Sequence, residues 1–119
     1  MNTGVILYLP DDVGRPVPTR SYIEWSNWFA EHDPVLRRHT IGRFVVTTRW
    51  AGADTIGHAN EPRVWETTVH EVPSWWRWTL RRLLRLSSPY YMAWASSREA
   101  AFRRHYEARS WAQLRRWTL

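Results

Sequence analysis

The sequence predicts an α+β domain: an antiparallel sheet of four to five strands, two helices on one face, and an extra basic amphipathic helix. Three observations carry this. Short β-rich runs with period-two alternation recur along the chain, most of them bounded by Gly or Pro. Two Ser-x-x-Glu boxes open segments with helical spacing. At 119 residues the chain has single-domain length, so it is read as one domain over 1–119.

Taken in order, Val5–Leu9 reads as a first short strand. Asp11, Asp12 and Gly14, then Pro16 and Pro18, predict a turn and an extended connector. Ser21 with Glu24 caps a helix over Tyr22–Glu31, with Ile23, Trp28 and Phe29 along its inner side, Trp25 flanking them, and Asp33-Pro34 as its stop. Val35–Ile41 and Arg43–Trp50, separated by Gly42, predict a hairpin. On the second strand Phe44, Val46, Thr48 and Trp50 form the expected core face, and Val45, Thr47 and Arg49 the other. Ala51–Pro62 reads as a loop, and Arg63–Val72 as a returning strand that Pro73 closes. Residues 74–88 read as the additional helix, Tyr90–Ala95 as a last strand, and Ser96 with Glu99 as the box opening a helix to about Trp117. Ala101, Phe102, His105, Ala108 and Ala112 form its expected inner stripe.

Composition narrows the function classes. All 17 basic residues are Arg, and the net charge is +6. Arg suits bidentate contacts to phosphate and carboxylate, although a genomic preference for Arg codons explains the missing Lys equally well. The positive balance favours nucleic acid, an acidic protein or an anionic membrane surface as partner. Ten Trp, five Tyr and three Phe exceed what so small a core encloses, which predicts aromatic residues at a surface or interface. With no Cys there is no disulfide framework, thiol nucleophile or Cys-bound metal. Without Lys there is no P-loop lysine or Schiff base, and no nucleophile elbow or dinucleotide fingerprint is present. The sequence therefore implies no cofactor and no metal. The N-terminus lacks the marks of a signal peptide and no run is long enough to span a bilayer, so a cytoplasmic protein is expected.

The order of motifs resembles a family of small bacterial and phage proteins. The resemblance rests on Trp25 with Phe29, Thr40 with Gly42, then Val46, Thr48, Trp50, Gly52 and Asp54, then Glu66-Thr67 and Val69, and finally Ala101 with His105. It covers most of residues 20–110 through dispersed single positions. This chain departs from the pattern by its Arg/Trp segment at 74–88. The family has no established activity, so the resemblance implies a fold and a phage or prophage setting, and an accessory protein that binds or blocks a host component.

The most distinctive candidate surface is SWWRWTLRRLLRLSS (74–88). Its Trp75, Trp76, Leu80 and Leu83 fall on one half of a helical wheel, and Arg77, Arg81, Arg82 and Arg85 on the other, with Trp78 among the arginines. Read structurally, this is an amphipathic helix packed on the sheet with Arg solvated. Read functionally, it offers Arg and an exposed aromatic to an anionic partner. Trp75, Trp76, Arg77, Trp78, Arg81, Arg82 and Arg85 are therefore the predicted binding residues. A second basic set, Arg98, Arg103, Arg104, Arg109, Arg115 and Arg116, spreads around the last helix.

Chemistry is represented by Asp54, His58, Glu66 and His70, whose spacing matches no metal signature. A metal-independent nuclease needs only a base, an acid and a charge stabiliser. His39, His58, His70 and His105 are available for it, with His105 better read as a satisfied core histidine. The sequence thus predicts a non-enzymatic accessory protein whose Arg/Trp-rich surface engages an acidic or phosphate-bearing host partner. The alternatives are a small nuclease or hydrolase at the Asp54/Glu66/His70 corner, or a peripheral binder of anionic membranes through 74–88.

Overall fold

The computed structural model describes residues 5–54, 62–71 and 90–116. Within them the chain runs β1 (Ile6–Pro10), β2 (Pro16–Thr19), α1 (Tyr22–Glu31), β3 (Val35–Ile41), β4 (Phe44–Trp50), β5 (Ala53–Asp54), β6 (Trp65–Glu71), β7 (Tyr91–Ala95) and α2 (Arg98–Arg115). The fold is α+β, as expected, but the strands divide into two antiparallel sheets. One has the order β3-β4-β6-β7 and the other β2-β1-β5. The expected helix at 74–88 lies outside the described residues.

The larger sheet grows from the 35–50 hairpin. Ile41 pairs with Phe44, so Gly42 and Arg43 form a two-residue turn. Gly42 has φ +59°, which glycine adopts without strain at the first central position of such a turn. β4 then pairs with β6 from Phe44↔Glu71 to Trp50↔Trp65. These are the two interior strands, and both of their faces are buried except near Arg49 and the two glutamates of β6. Phe44, Val46, Thr48 and Trp50 are buried on one side, and Val45 and Thr47 on the other. The expected core face is right, but it is not the only one.

α2 covers the first of these faces. Ala101, His105, Ala108 and Ala112 recur at intervals of four, three and four, and each is fully buried. Three methyl-sized side chains let the helix lie close to the sheet. Ala108 and Ala112 join Ile41, Phe44, Val46 and Val69 in one cluster. Ala101 joins Tyr8, Trp50, Val64, Trp65 and Ala95 in another. The cap of α2 is Ser97, not Ser96: its hydroxyl accepts from the Ala100 amide at 3.1 Å. Ser97 is the residue with extended backbone immediately before the first turn, which is the geometry an N-cap requires.

The split into two sheets is made at Gly52, where φ is +71°. A Cβ built there would stand 2.8 Å from Nε1 of both Trp25 and Trp50, so no side chain fits. The Gly52 carbonyl accepts from the Tyr8 amide at 2.8 Å and from Trp25 Nε1 at 2.9 Å. The chain thus leaves β4, turns, and pairs Ala53 and Asp54 with β1. α1 packs on β1 and β2, and reaches the larger sheet through Trp28, whose ring lies 6.4 Å from that of Trp50. Its inner stripe is Trp25, Trp28 and Phe29. Ile23, expected on that side, is 72% exposed, because at 100° per residue it sits well off a line through positions 25, 28 and 29.

Candidate functional site

β3 is an edge strand of the larger sheet, and alternation sends every second side chain of it toward α2. Pairing of Arg37 with Thr48, His39 with Val46 and Ile41 with Phe44 puts Arg37, His39 and Ile41 on the α2 side. The facing residues of α2 are Phe102, His105, Tyr106 and Arg109, which fall within two turns of one another. The Arg37 guanidinium lies over the Phe102 ring at 5.4 Å, and that of Arg109 over the Tyr106 ring at 5.4 Å. Between these two pairs the rings of His39 and His105 meet at 5.0 Å.

A single file of hydrogen bonds runs inward from this seam. Nδ1 of His39 lies 2.7 Å from Nε2 of His105. Nδ1 of His105 lies 2.8 Å from the Thr48 hydroxyl, which is 2.7 Å from that of Thr67. Thr48, Thr67 and His105 are all buried, so the file extends from the half-buried His39 into the core of the sheet. Burial, then the His39 ring and the Arg109 and Arg37 guanidiniums, pull the pKa of His105 down to about 4. His105 is therefore neutral near pH 7. Burial, followed by Arg109 and Arg37, also holds His39 below its ordinary value.

Two proton arrangements satisfy every bond of the file. In one, Thr67 donates to Thr48, Thr48 to His105, and His105 to His39. In the other each donor and acceptor is exchanged, and His39 donates inward. A protonated His39 carries N–H on both nitrogens and so enforces the second arrangement. Whichever holds, Nδ1 of His39 is committed to His105, and Nε2 is the nitrogen left for a ligand. The Nε of Arg109 is buried beside the histidine pair and has no acceptor among the described residues.

The Asp54/Glu66/His70 corner is not assembled. The buried Asp54 carboxylate accepts from the Arg63 amide at 3.1 Å, which ties the end of β5 to the approach of β6. Glu66 pairs with Arg49 at 3.2 Å. His70 is buried opposite Val45, at the end of β6 remote from Trp65 and Trp50. The four strand steps from Glu66 to His70 span ~13 Å, too far for a shared substrate atom. No group of three metal-binding side chains occurs among the described residues. His58 and the predicted binding residues Trp75, Trp76, Arg77, Trp78, Arg81, Arg82 and Arg85 lie outside them.

The arginines of α2 divide by role. Arg104 pairs with Glu107 at 2.9 Å, on the exposed side. Arg115 stacks over Trp111 at 4.4 Å. Arg43, from the hairpin turn, donates to the Arg116 carbonyl at 3.1 Å and to that of Arg115 at 3.3 Å, and also pairs with Glu71, so it holds the helix C-terminus to the sheet. Only Arg109 turns toward the histidines. An open cleft of about 380 Å³ beside α1 has Glu24 and Glu31 as its charged lining residues and lacks the basic character of the seam.

The sequence marks His39 and His105 as separate residues and leaves their pairing unseen. The signal was present in two parts: His39 stands two residues before the buried Ile41, and His105 lies in the Ala stripe. Joining them requires the seating of the helix on β3, which neither period encodes. No protein-family model matches the chain, and neither does any curated protein or solved structure.

Proposed function

We propose that this protein is a non-enzymatic accessory module, of phage or prophage type, that engages an acidic or phosphate-bearing host partner through arginine- and aromatic-bearing surfaces. One observation carries the reading among the described residues. Arg37 and Arg109 flank a histidine pair on an edge seam, and no carboxylate figures among the charges acting on either histidine. A structural ion pair would place a counter-charge there. Two guanidiniums propped on aromatic rings beside an open imidazole nitrogen instead form a receptor for an anion. The net charge of +6 adds long-range attraction for the same class of partner. Binding is favoured over hydrolysis because His105 is sealed in the core, and the seam then offers one imidazole where acid–base cleavage needs two proton-transfer groups.

The test is a salt titration of binding to labelled single-stranded RNA, duplex DNA, polyglutamate and phosphatidylglycerol vesicles. Wild type is compared with an R37A/R109A variant and with an R77A/R81A/R85A variant. The expected result is affinity for at least one polyanion that weakens steeply with salt, with a shallower slope in one or both variants. Wild type that binds none of the four at low salt would sink the reading.

A further inference from the structure

The β3–α2 seam narrows the partner further, on the reading just given. We propose that it is a phosphodiester site for single-stranded nucleic acid, with Nε2 of His39 as its central contact and Arg37 and Arg109 as its flanking ones.

The geometry supplies three requirements of such a site. The first is a contact atom fixed in direction. The His39 ring is tethered through Nδ1 to His105, which Thr48 holds in turn, and Thr67 holds Thr48. The file therefore orients Nε2 as a positioning shell orients a metal-ligating or catalytic imidazole. The second is positive charge on either side, from arginines whose guanidiniums lie over Phe102 and Tyr106. The third is a stacking surface. Phe102 and Tyr106 are one helical turn apart, and Tyr106 is 45% exposed. Bases stack on aromatic rings and on guanidinium planes alike. An unpaired strand offers its base faces to such surfaces, whereas a duplex keeps them stacked inside. A phosphopeptide would leave the paired arginine–aromatic arrangement without a purpose.

Binding is coupled to a proton. The charged or titratable groups acting on His39 are Arg37 from its own strand and Arg109 and His105 from α2; β4 contributes the uncharged Val46 opposite it. A bound phosphate offsets the two arginines, which favours protonated His39, and protonated His39 donates Nε2–H to the phosphate. The inward bonds then all point toward Thr67. Affinity should accordingly rise as pH falls.

Fluorescence anisotropy with a labelled 12-nucleotide oligouridylate tests this, at pH 5.5 and pH 8. An equal-length duplex and inorganic phosphate serve as the other ligands, and H39Q and R37A/R109A as variants. Wild type should bind the single strand about tenfold or more tightly than the duplex, and more tightly at pH 5.5. H39Q should retain binding at pH 8 and lose most of the gain at pH 5.5. R37A/R109A should flatten the salt slope by roughly 1.4, the value for two phosphate contacts on a single strand. Thermal melts confirm that each variant folds. Should R37A/R109A not fold, the His39 ring resonance of wild type, assigned by its loss in H39Q, must shift on adding oligouridylate. Polyglutamate binding without nucleic-acid binding would overturn the inference and spare the broader function. The same holds for single-strand binding whose pH dependence survives in H39Q, or a His39 resonance moved by inorganic phosphate alone.

Discussion

His105 is a neutral imidazole enclosed in the core, and that state sets a stability requirement. The unfolded chain binds a proton at this residue near pH 6.5, and the folded chain only near pH 4. Between these values the unfolded state holds more protons, so stability falls as pH drops through the window and is fully present above it. The loss expected from this residue is about 3 kcal/mol. Denaturant midpoints measured from pH 7 to pH 4 should show the decline, and H105Q should flatten it while lowering stability throughout. If H105Q keeps the full decline, the acid sensitivity lies elsewhere. The role of His105 as a core histidine was legible from its Ala/Phe stripe. Its partners were not, because Thr48 and Thr67 read as ordinary alternating strand residues until the register of β4 against β6 is known.

Among the elements, the caps and the corner give sharp expectations. Replacing Ser97 by Ala should cost about 1 kcal/mol, while the same change at Ser96 should be near neutral. Equal effects would contradict the observed cap. Gly52→Ala is expected to cost about 3 kcal/mol or more, since it combines a left-handed backbone with overlap on Trp25 and Trp50. A thermal melt unchanged by G52A would mean that the corner relaxes freely. The hairpin, β6 and both helices could be read from period and turn residues, but the Ser-x-x-Glu box found the cap only of α1 and set that of α2 one residue early, at Ser96 in place of Ser97. β5 could not, being two residues long and set by pairing with the remote β1. β2 was hidden by Pro16 and Pro18, which mark an edge strand as readily as a connector.

For the whole molecule, no helix among the described residues is long and apolar enough to cross a membrane. Among the described residues positive charge is spread over the loops, β3, β4 and α2, so long-range attraction and specific contact are separable. Raising the salt concentration should slow association more than it speeds release, which stopped-flow mixing with a labelled anionic ligand can measure. A salt effect confined to release would mean that contact alone governs binding. The basic, aromatic-rich character behind this behaviour was legible from composition. The placement of the seam was not, since it depends on two residues 66 positions apart in the chain meeting across the helix–sheet contact.

The alanines of α2 make a smooth track on the sheet, and methyl groups by themselves fix a stopping point only by what flanks them. A one-turn slip would bring Arg104 to the place of Ala108 or Arg116 to that of Ala112. His105 adds a positive preference to that exclusion. Its ring fits where Thr48 meets it from the sheet and His39 from the edge, and a one-turn slip would bring either Ala101 or Arg109 to that place. A methyl there would leave the threonine hydroxyls without their partner, and a guanidinium would drive a charge into the core. The histidine therefore acts as a peg that selects one axial setting of the helix. The same setting brings Arg109 and Arg37 to the same histidine pair, so one side chain contributes both to the register of the helix and to the assembly of its outer surface.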